Sequence, residues 1–247
     1  MQTCHAADSV ARMGAMIRFT LFGISVSIHP SLWLTLAVLG GLLGTNSMLH
    51  LFSVCLFVIA GFFCLLCHEM GHALVGRYFG GGSPCIYLAW LGGDCTNTEA
   101  RMTRLQGVLM TAAGPLASLL LGGIVTLLLG LYVGNMQTGV YFALNFIFGV
   151  IPTEAWDCGS RLALLFFTYL LQVSFWWSLL NLIPVFPLDG GQIMHGLMSS
   201  PRRVHVISLG IACVLGVLFG LLGCWLMTAF MVWLAVLNFN FLRQAPY

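Results

Sequence analysis

Lysine is absent from this 247-residue chain, and charge of either sign is scarce. Only 6% of the residues are Asp, Glu, Lys or Arg, against roughly 25% in a soluble domain. With 60% hydrophobic residues, the chain cannot coat a water-soluble sphere, so most of it belongs in lipid. A formal net charge of +2 lacks the basic excess that nucleic acid requires, so no nucleic-acid partner is expected. A disulfide framework is not expected either. The nine Cys are odd in number, and Cys55, Cys64, Cys67, Cys213 and Cys224 lie inside apolar runs, where a thiol serves as a small hydrophobe. A cleaved signal peptide is not expected either. Met1–Ala15 is polar and carries Arg12, and the apolar stretch after it has no small-residue cleavage site. There is no internal repeat and no low-complexity tail. The loop of roughly 27 residues between the third and fourth apolar spans is shorter than the 50 or more of an inserted domain. The chain is therefore expected to form a single domain, 1–247.

What the chain has instead is apolar runs. They fall at Ser31–Leu43, at Leu49–Cys67 with a continuation to near Phe79, and at Leu105–Val133, Arg161–Ile183, Val206–Leu222 and Cys224–Leu242. The first is short for a span unless its neighbours contribute, and Gly139–Ile151 is shorter still, so it is expected to be re-entrant or interfacial. Ile17–Ile28 partly alternates and is rich in β-branched residues, which predicts one or two short strands around Gly23 at the membrane surface. Cys85–Trp90 has strand character, followed by a turn at Gly92-Gly93. The fold expected is an all-α integral membrane protein with about six transmembrane helices. Short membrane-surface strands flank it near the N-terminus and after the second helix.

The arginines orient the chain. With six spans and Gly139–Ile151 not crossing, Arg12, Arg18, Arg77, Arg101, Arg104, Arg202, Arg203 and Arg243 fall on one side, the cytoplasm, and only Arg161 falls outside.

Residues 64–72 read CLLCHEMGH, and two chemistries overlap there. Cys64, Cys67 and His68 fit the C-x-x-C-H of c-type haem attachment. His68, Glu69 and His72 fit H-E-x-x-H, in which two His four apart on a helix share a face and a carboxylate stands beside them. The Arg pattern puts Cys67-His68 at the inner side, where haem is not attached. A carboxylate at membrane depth costs roughly 2.5–3.5 kcal/mol on insertion scales, and a divalent cation would compensate it. A third ligand is available in NLIPVFPLDGG, Asn181–Gly191: Asp189 is the sole acidic residue after Asp157. Pro184 and Pro187 disrupt helix there, and Gly190-Gly191 permits a sharp turn. The second and fourth spans both run inward, which brings His68, His72 and Asp189 to one membrane face. A transporter or non-catalytic metal-binding membrane protein remains the alternative to an enzyme.

HEMGH followed by NLIPVFPLDGG resembles the site-2 protease family of intramembrane zinc metalloproteases. SIHPSLW is similar to the family's lead-in segment, Leu91-Gly92-Gly93 to the loop after its H-E-x-x-H helix, and Ala113-Gly114-Pro115 to its A-G-P segment. The family often has Asn three residues after A-G-P, where this chain has Ser118. No PDZ or C-terminal regulatory domain is expected, and short forms of the family lack one or both. The resemblance implies that His68, His72 and Asp189 bind zinc, that Glu69 is the catalytic base, and that Asn181 helps hold the substrate. The substrate would be a transmembrane segment of another protein, cut within the lipid bilayer of a bacterial cell membrane, with the site towards the cytoplasm.

Overall fold

The computed structural model describes residues 16–80, 82–90, 92–96, 102–198 and 200–244. The readings made on Met1–Ala15, Leu91 and Arg101 fall outside these residues.

The alternating N-terminal stretch forms β1 (Ile17–Leu21) and β2 (Ile24–Ile28), an antiparallel pair. A two-residue turn closes the hairpin, with Phe22 at φ 50° and Gly23 at φ 75°. Positive φ at both positions gives the turn a twist that matches the strands. β2 pairs in parallel with β3 (Cys85–Ala89), and β3 pairs antiparallel with β4 (Gly92–Thr96), so the sheet order is β1-β2-β3-β4. Gly92-Gly93 therefore opens a strand, not the expected turn.

A parallel pair needs a crossover, and here it is two helices. α1 (Pro30–Leu39) leaves β2, and α2 (Met48–Gly80) returns to β3. His29 caps α1 by accepting from the Ser31 N–H, with Pro30 at the first helical position. The sheet's inward face (Ile24, Val26, Ile28, Ile86 and Leu88) packs on Leu65, Leu66, Met70 and Ala73 of α2. The sheet thus lies against the half of α2 that carries the H-E-x-x-H residues.

Among the described residues, five helices are long and apolar enough to cross a membrane. They are α2, α3 (Arg104–Tyr132), α5 (Arg161–Asn181), α7 (Pro201–Leu221) and α8 (Trp225–Gln244). The protein is a multi-pass integral membrane protein. The sixth expected helix is α1, whose ten residues extend ~15 Å against a ~30 Å hydrocarbon core. It lies along α2, with Leu36 against Gly61 and Gly40 against Phe57.

Between α3 and α5 comes α4 (Met136–Ile147). Its start packs on the end of α3, Gly139 against Gly130. Its end reaches Trp176, whose Nε1 donates to the Ile147 carbonyl at 2.8 Å. Trp176 is ~22 Å along α5 from Arg161. The chain then climbs back, and the Ser160 N–H meets the Tyr132 hydroxyl at 2.9 Å. The segment enters and leaves at the same end of the bundle and is re-entrant. α6 (Asp189–Leu197) is a short helix between α5 and α7.

Small residues let α2 and α3 approach closely. A methyl on Gly71 would meet the Ala113 carbonyl and the Ala117 side chain. In lipid, where no water is left to expel, such van der Waals contact is the main attraction between helices. α3 starts with a capping box: the Gln106 N–H bonds to Thr103 Oγ1, and the Thr103 N–H bonds to Gln106 Oε1.

Candidate metal centre

α2 is 33 residues long. About 20 of them suffice to cross a hydrocarbon core, and His68 falls where those twenty end. From there His68 and His72 project on one face towards α3 and the start of α6. His68 Nε2 lies 3.0 Å from Asp189 Oδ2, His72 Nε2 lies 3.5 Å from the same oxygen, and the two Nε2 atoms are 3.2 Å apart. One ligand atom from each residue thus falls within 4.8 Å of the others, and all three residues are buried. The sequence put Asp189 in this set, and the fold brings it there by ending α5 at the same level and starting α6 on the carboxylate.

The remaining ring nitrogens show that the set suits a metal. His72 Nδ1 lies 2.9 Å from the Met110 carbonyl, which can only accept, so the neutral ring carries its proton on Nδ1 and has the Nε2 lone pair free for a metal. His68 Nδ1 shares a 3.2 Å hydrogen bond with Ser118 Oγ. Such outer partners fix the tautomer and orientation of metal-binding imidazoles. Two imidazoles and one carboxylate are a donor set of catalytic zinc sites.

Glu69 lies beside the three, only 5% exposed. β4 covers it so closely that a methyl on Gly93 would overlap its side chain. Gly114 does the same for His72, where a methyl would collide with the imidazole. Pro115, next in the chain, offers its carbonyl to Ser178 of α5 at 3.1 Å. A cavity of about 260 Å³ opens beside Met110, bounded by Arg104, Thr111, Phe186 and His195.

The other residues singled out in the sequence lie outside this set. Asn181 ends α5, half-buried, and its amide nitrogen donates to the Trp177 carbonyl of its own helix at 2.9 Å. The Cys64 and Cys67 thiols point to different helices, to the Leu170 and Ala117 carbonyls, each at 3.6 Å. His68, which the two overlapping motifs share, is turned to Asp189 and His72. His29 serves as a helix cap. Ser118 and the Met110 carbonyl were not anticipated as partners of the two His. Ser118 had been visible only as a departure from a family pattern.

A membrane-embedded helical bundle with a His-His-carboxylate set at the end of a spanning helix defines a class, that of membrane proteins built around a buried metal site. Comparison with known proteins narrows it. The model of Peptidase family M50 matches residues 56–223, and the chain belongs to that family. It is 29% identical over 214 residues to Zinc metalloprotease MJ0392 of Methanocaldococcus jannaschii, across 83% of this chain and 53% of that protein. It is 27% identical over 237 residues to Stage IV sporulation protein FB of Bacillus subtilis, across 91% of this chain and 68% of that protein. The chain thus spans about half the length of the first relative and about two thirds of the second. Among solved structures, Site-2 Protease from Methanocaldococcus jannaschii aligns at a TM-score of 0.56 and 23% identity, over 94% of this chain and 98% of that one. At that identity the likeness is one of fold.

Proposed function

We propose that this protein is an intramembrane zinc metalloendopeptidase that cleaves a transmembrane segment of another membrane protein. One observation carries the reading: His68, His72 and Asp189 converge within 4.8 Å, buried, at the end of a spanning helix. In a family of peptidases, that is the chemistry of peptide hydrolysis.

His68, His72 and Asp189 would hold the zinc, through Nε2, Nε2 and Oδ2. Zinc held there would supply Lewis acidity, polarising a peptide carbonyl and bringing the pKa of water to roughly 7. Glu69 takes the proton from the attacking water and returns it to the leaving amine. Its burial under β4 keeps bulk water from competing for its carboxylate. Ser118 and the Met110 carbonyl hold the two rings in the orientation that binding needs. Asn181 stands at the end of α5, where a substrate strand would pass beside the Pro- and Gly-rich segment. That segment offers irregular backbone to an extended peptide. Residues 1–247 act as one catalytic unit.

Arg77, Arg104, Arg202, Arg203 and Arg243 end or begin their helices at the site's end of the bundle, while Arg161 begins α5 at the other. By the positive-inside rule, the site faces the cytoplasm. The similarity to the Bacillus subtilis protein supports a bacterial cell membrane as the setting.

The test is Glu69→Gln, which keeps shape and removes the base. Zinc should stay bound, because the three ligands remain. Cleavage of a co-expressed membrane-anchored substrate, read as fragment mass, should fall by roughly 10²–10⁴-fold. Cleavage at the wild-type rate would refute the proposal.

A further inference from the structure

The segment that delivers Asp189 has almost no regular structure of its own. α5 stops at Asn181, α6 starts at Asp189, and Pro184 and Pro187 remove two backbone donors between them. Irregular backbone at membrane depth must find partners within the protein. Phe186, three residues before the carboxylate, finds both of its partners on the last two helices. Its N–H donates to Ser208 Oγ of α7 at 3.0 Å, and its carbonyl accepts from Asn238 Nδ2 of α8 at 2.6 Å. Ser208 and Asn238 are wholly buried, 0% exposed.

The Asn238 amide is itself oriented. Its nitrogen also donates to the Leu234 carbonyl at 2.9 Å, and its oxygen lies 2.9 Å from His205 Nδ1. With two carbonyls on one side and a ring nitrogen on the other, only one orientation satisfies every partner. His205 and Ser208 are three apart and share a face of α7. The Phe186 ring packs against His205 and Phe241, with centroids 5.2 and 5.8 Å away.

Phe186 lies against the turn that carries Asp189. The first turn of α6 folds back on this segment: a methyl on Gly191 would overlap the Phe186 nitrogen, and one on Gly190 the Leu182 carbonyl. Backbone against backbone leaves no slack between the clamped residue and the turn that carries the carboxylate. We propose that Ser208 and Asn238 are positioning residues for Asp189, gripping both backbone groups of Phe186 so that the carboxylate is placed against His68 and His72. This rests on the metallopeptidase reading of the site. Asn238 lies beyond residues 56–223, the part of the chain that the family model matches.

The test uses the full chain in lipid nanodiscs. Zinc affinity is measured by chelator competition for wild type, Asp189→Ala, Ser208→Ala, Asn238→Leu, and each of the last two combined with Asp189→Ala. Wild type should hold zinc, and Asp189→Ala should weaken it. Ser208→Ala and Asn238→Leu should each weaken it by about tenfold, the low end for an outer-shell change. Ser208→Thr, which keeps the hydroxyl, should restore affinity. In the Asp189→Ala background neither change should matter by more than about twofold, since the effect passes through that carboxylate. Amide exchange of the peptide containing Phe186 should quicken in Ser208→Ala without zinc present. In cleavage assays kcat should fall with KM retained.

If Ser208→Ala and Asn238→Leu hold zinc like wild type while Asp189→Ala loses it, the positioning role is wrong and the metal site stands. Equal losses with and without Asp189 would also overturn it, as a merely structural effect. If Asp189→Ala binds zinc like wild type, the site reading falls and this inference falls with it. Should Asn238→Leu fail to fold, Ser208→Ala decides, because it deletes a single oxygen.

Discussion

At the residue scale the site depends as much on absent side chains as on present ones. Gly114 lets the backbone of α3 run against the His72 ring, close enough for the Met110 carbonyl to accept a hydrogen bond from Nδ1–H. Gly114→Ala should push the ring away and break that bond. Zinc affinity should drop by about tenfold or more, as for other losses of an outer partner. Gly107→Ala on the same helix, where nothing lies within 4 Å of the added carbon, should leave affinity unchanged. Chelator competition checks both, and equal affinity in the two variants would contradict the geometry. The three candidate ligands were legible in the sequence: His68 and His72 through their spacing, Asp189 as the sole late acid inside a helix-breaking segment. Their supports were not. Ser118 touches His68 across 50 positions of sequence, and Met110 acts through a carbonyl that every residue type possesses.

At the element scale the re-entrant α4 is pinned by glycines. A methyl on Gly139 would overlap the Gly130 backbone of α3. Gly139→Leu should force the helices apart and destabilise the fold by roughly 1–3 kcal/mol, the usual cost of overpacking. A lower unfolding midpoint in detergent would show it. Zinc affinity should hold, because Gly130 stands ~24 Å along α3 from Gly114. A midpoint equal to wild type would mean that the contact is not tight. The expectation that Gly139–Ile151 does not cross came from its length and from where the arginines would otherwise fall. How deep it dips was not legible, since that depends on Trp176 meeting the Ile147 carbonyl. The strand β4 was also misread. Gly92-Gly93 has the composition of a turn, and only pairing with Leu88 and Ala89 of β3 makes it extended.

At the scale of the whole molecule the bundle has two distinguishable ends. Cys158 is exposed near Arg161, at the end opposite the site. In a background without other cysteines, Cys158 should react with an impermeant thiol reagent from the outer side only. A single cysteine introduced as Arg203→Cys should react from the cytoplasmic side only. Both reacting from one side would contradict the orientation, and with it the placing of the site towards the cytoplasm.

The chain by itself determined that this is a membrane protein, roughly where its helices run, and which His, Glu and Asp could meet. Hydropathy, helical spacing and the scarcity of charge are local properties, and the cost of a carboxylate in lipid makes each acid informative. Only the tertiary structure decided which groups hold those side chains in place. The carbonyl of Met110, the hydroxyls of Ser118 and Ser208, and the amide of Asn238 become partners when separate helices are packed side by side. Ser and Asn in an apolar run look alike whether they face lipid, a neighbouring helix or a loop, and packing alone assigns them.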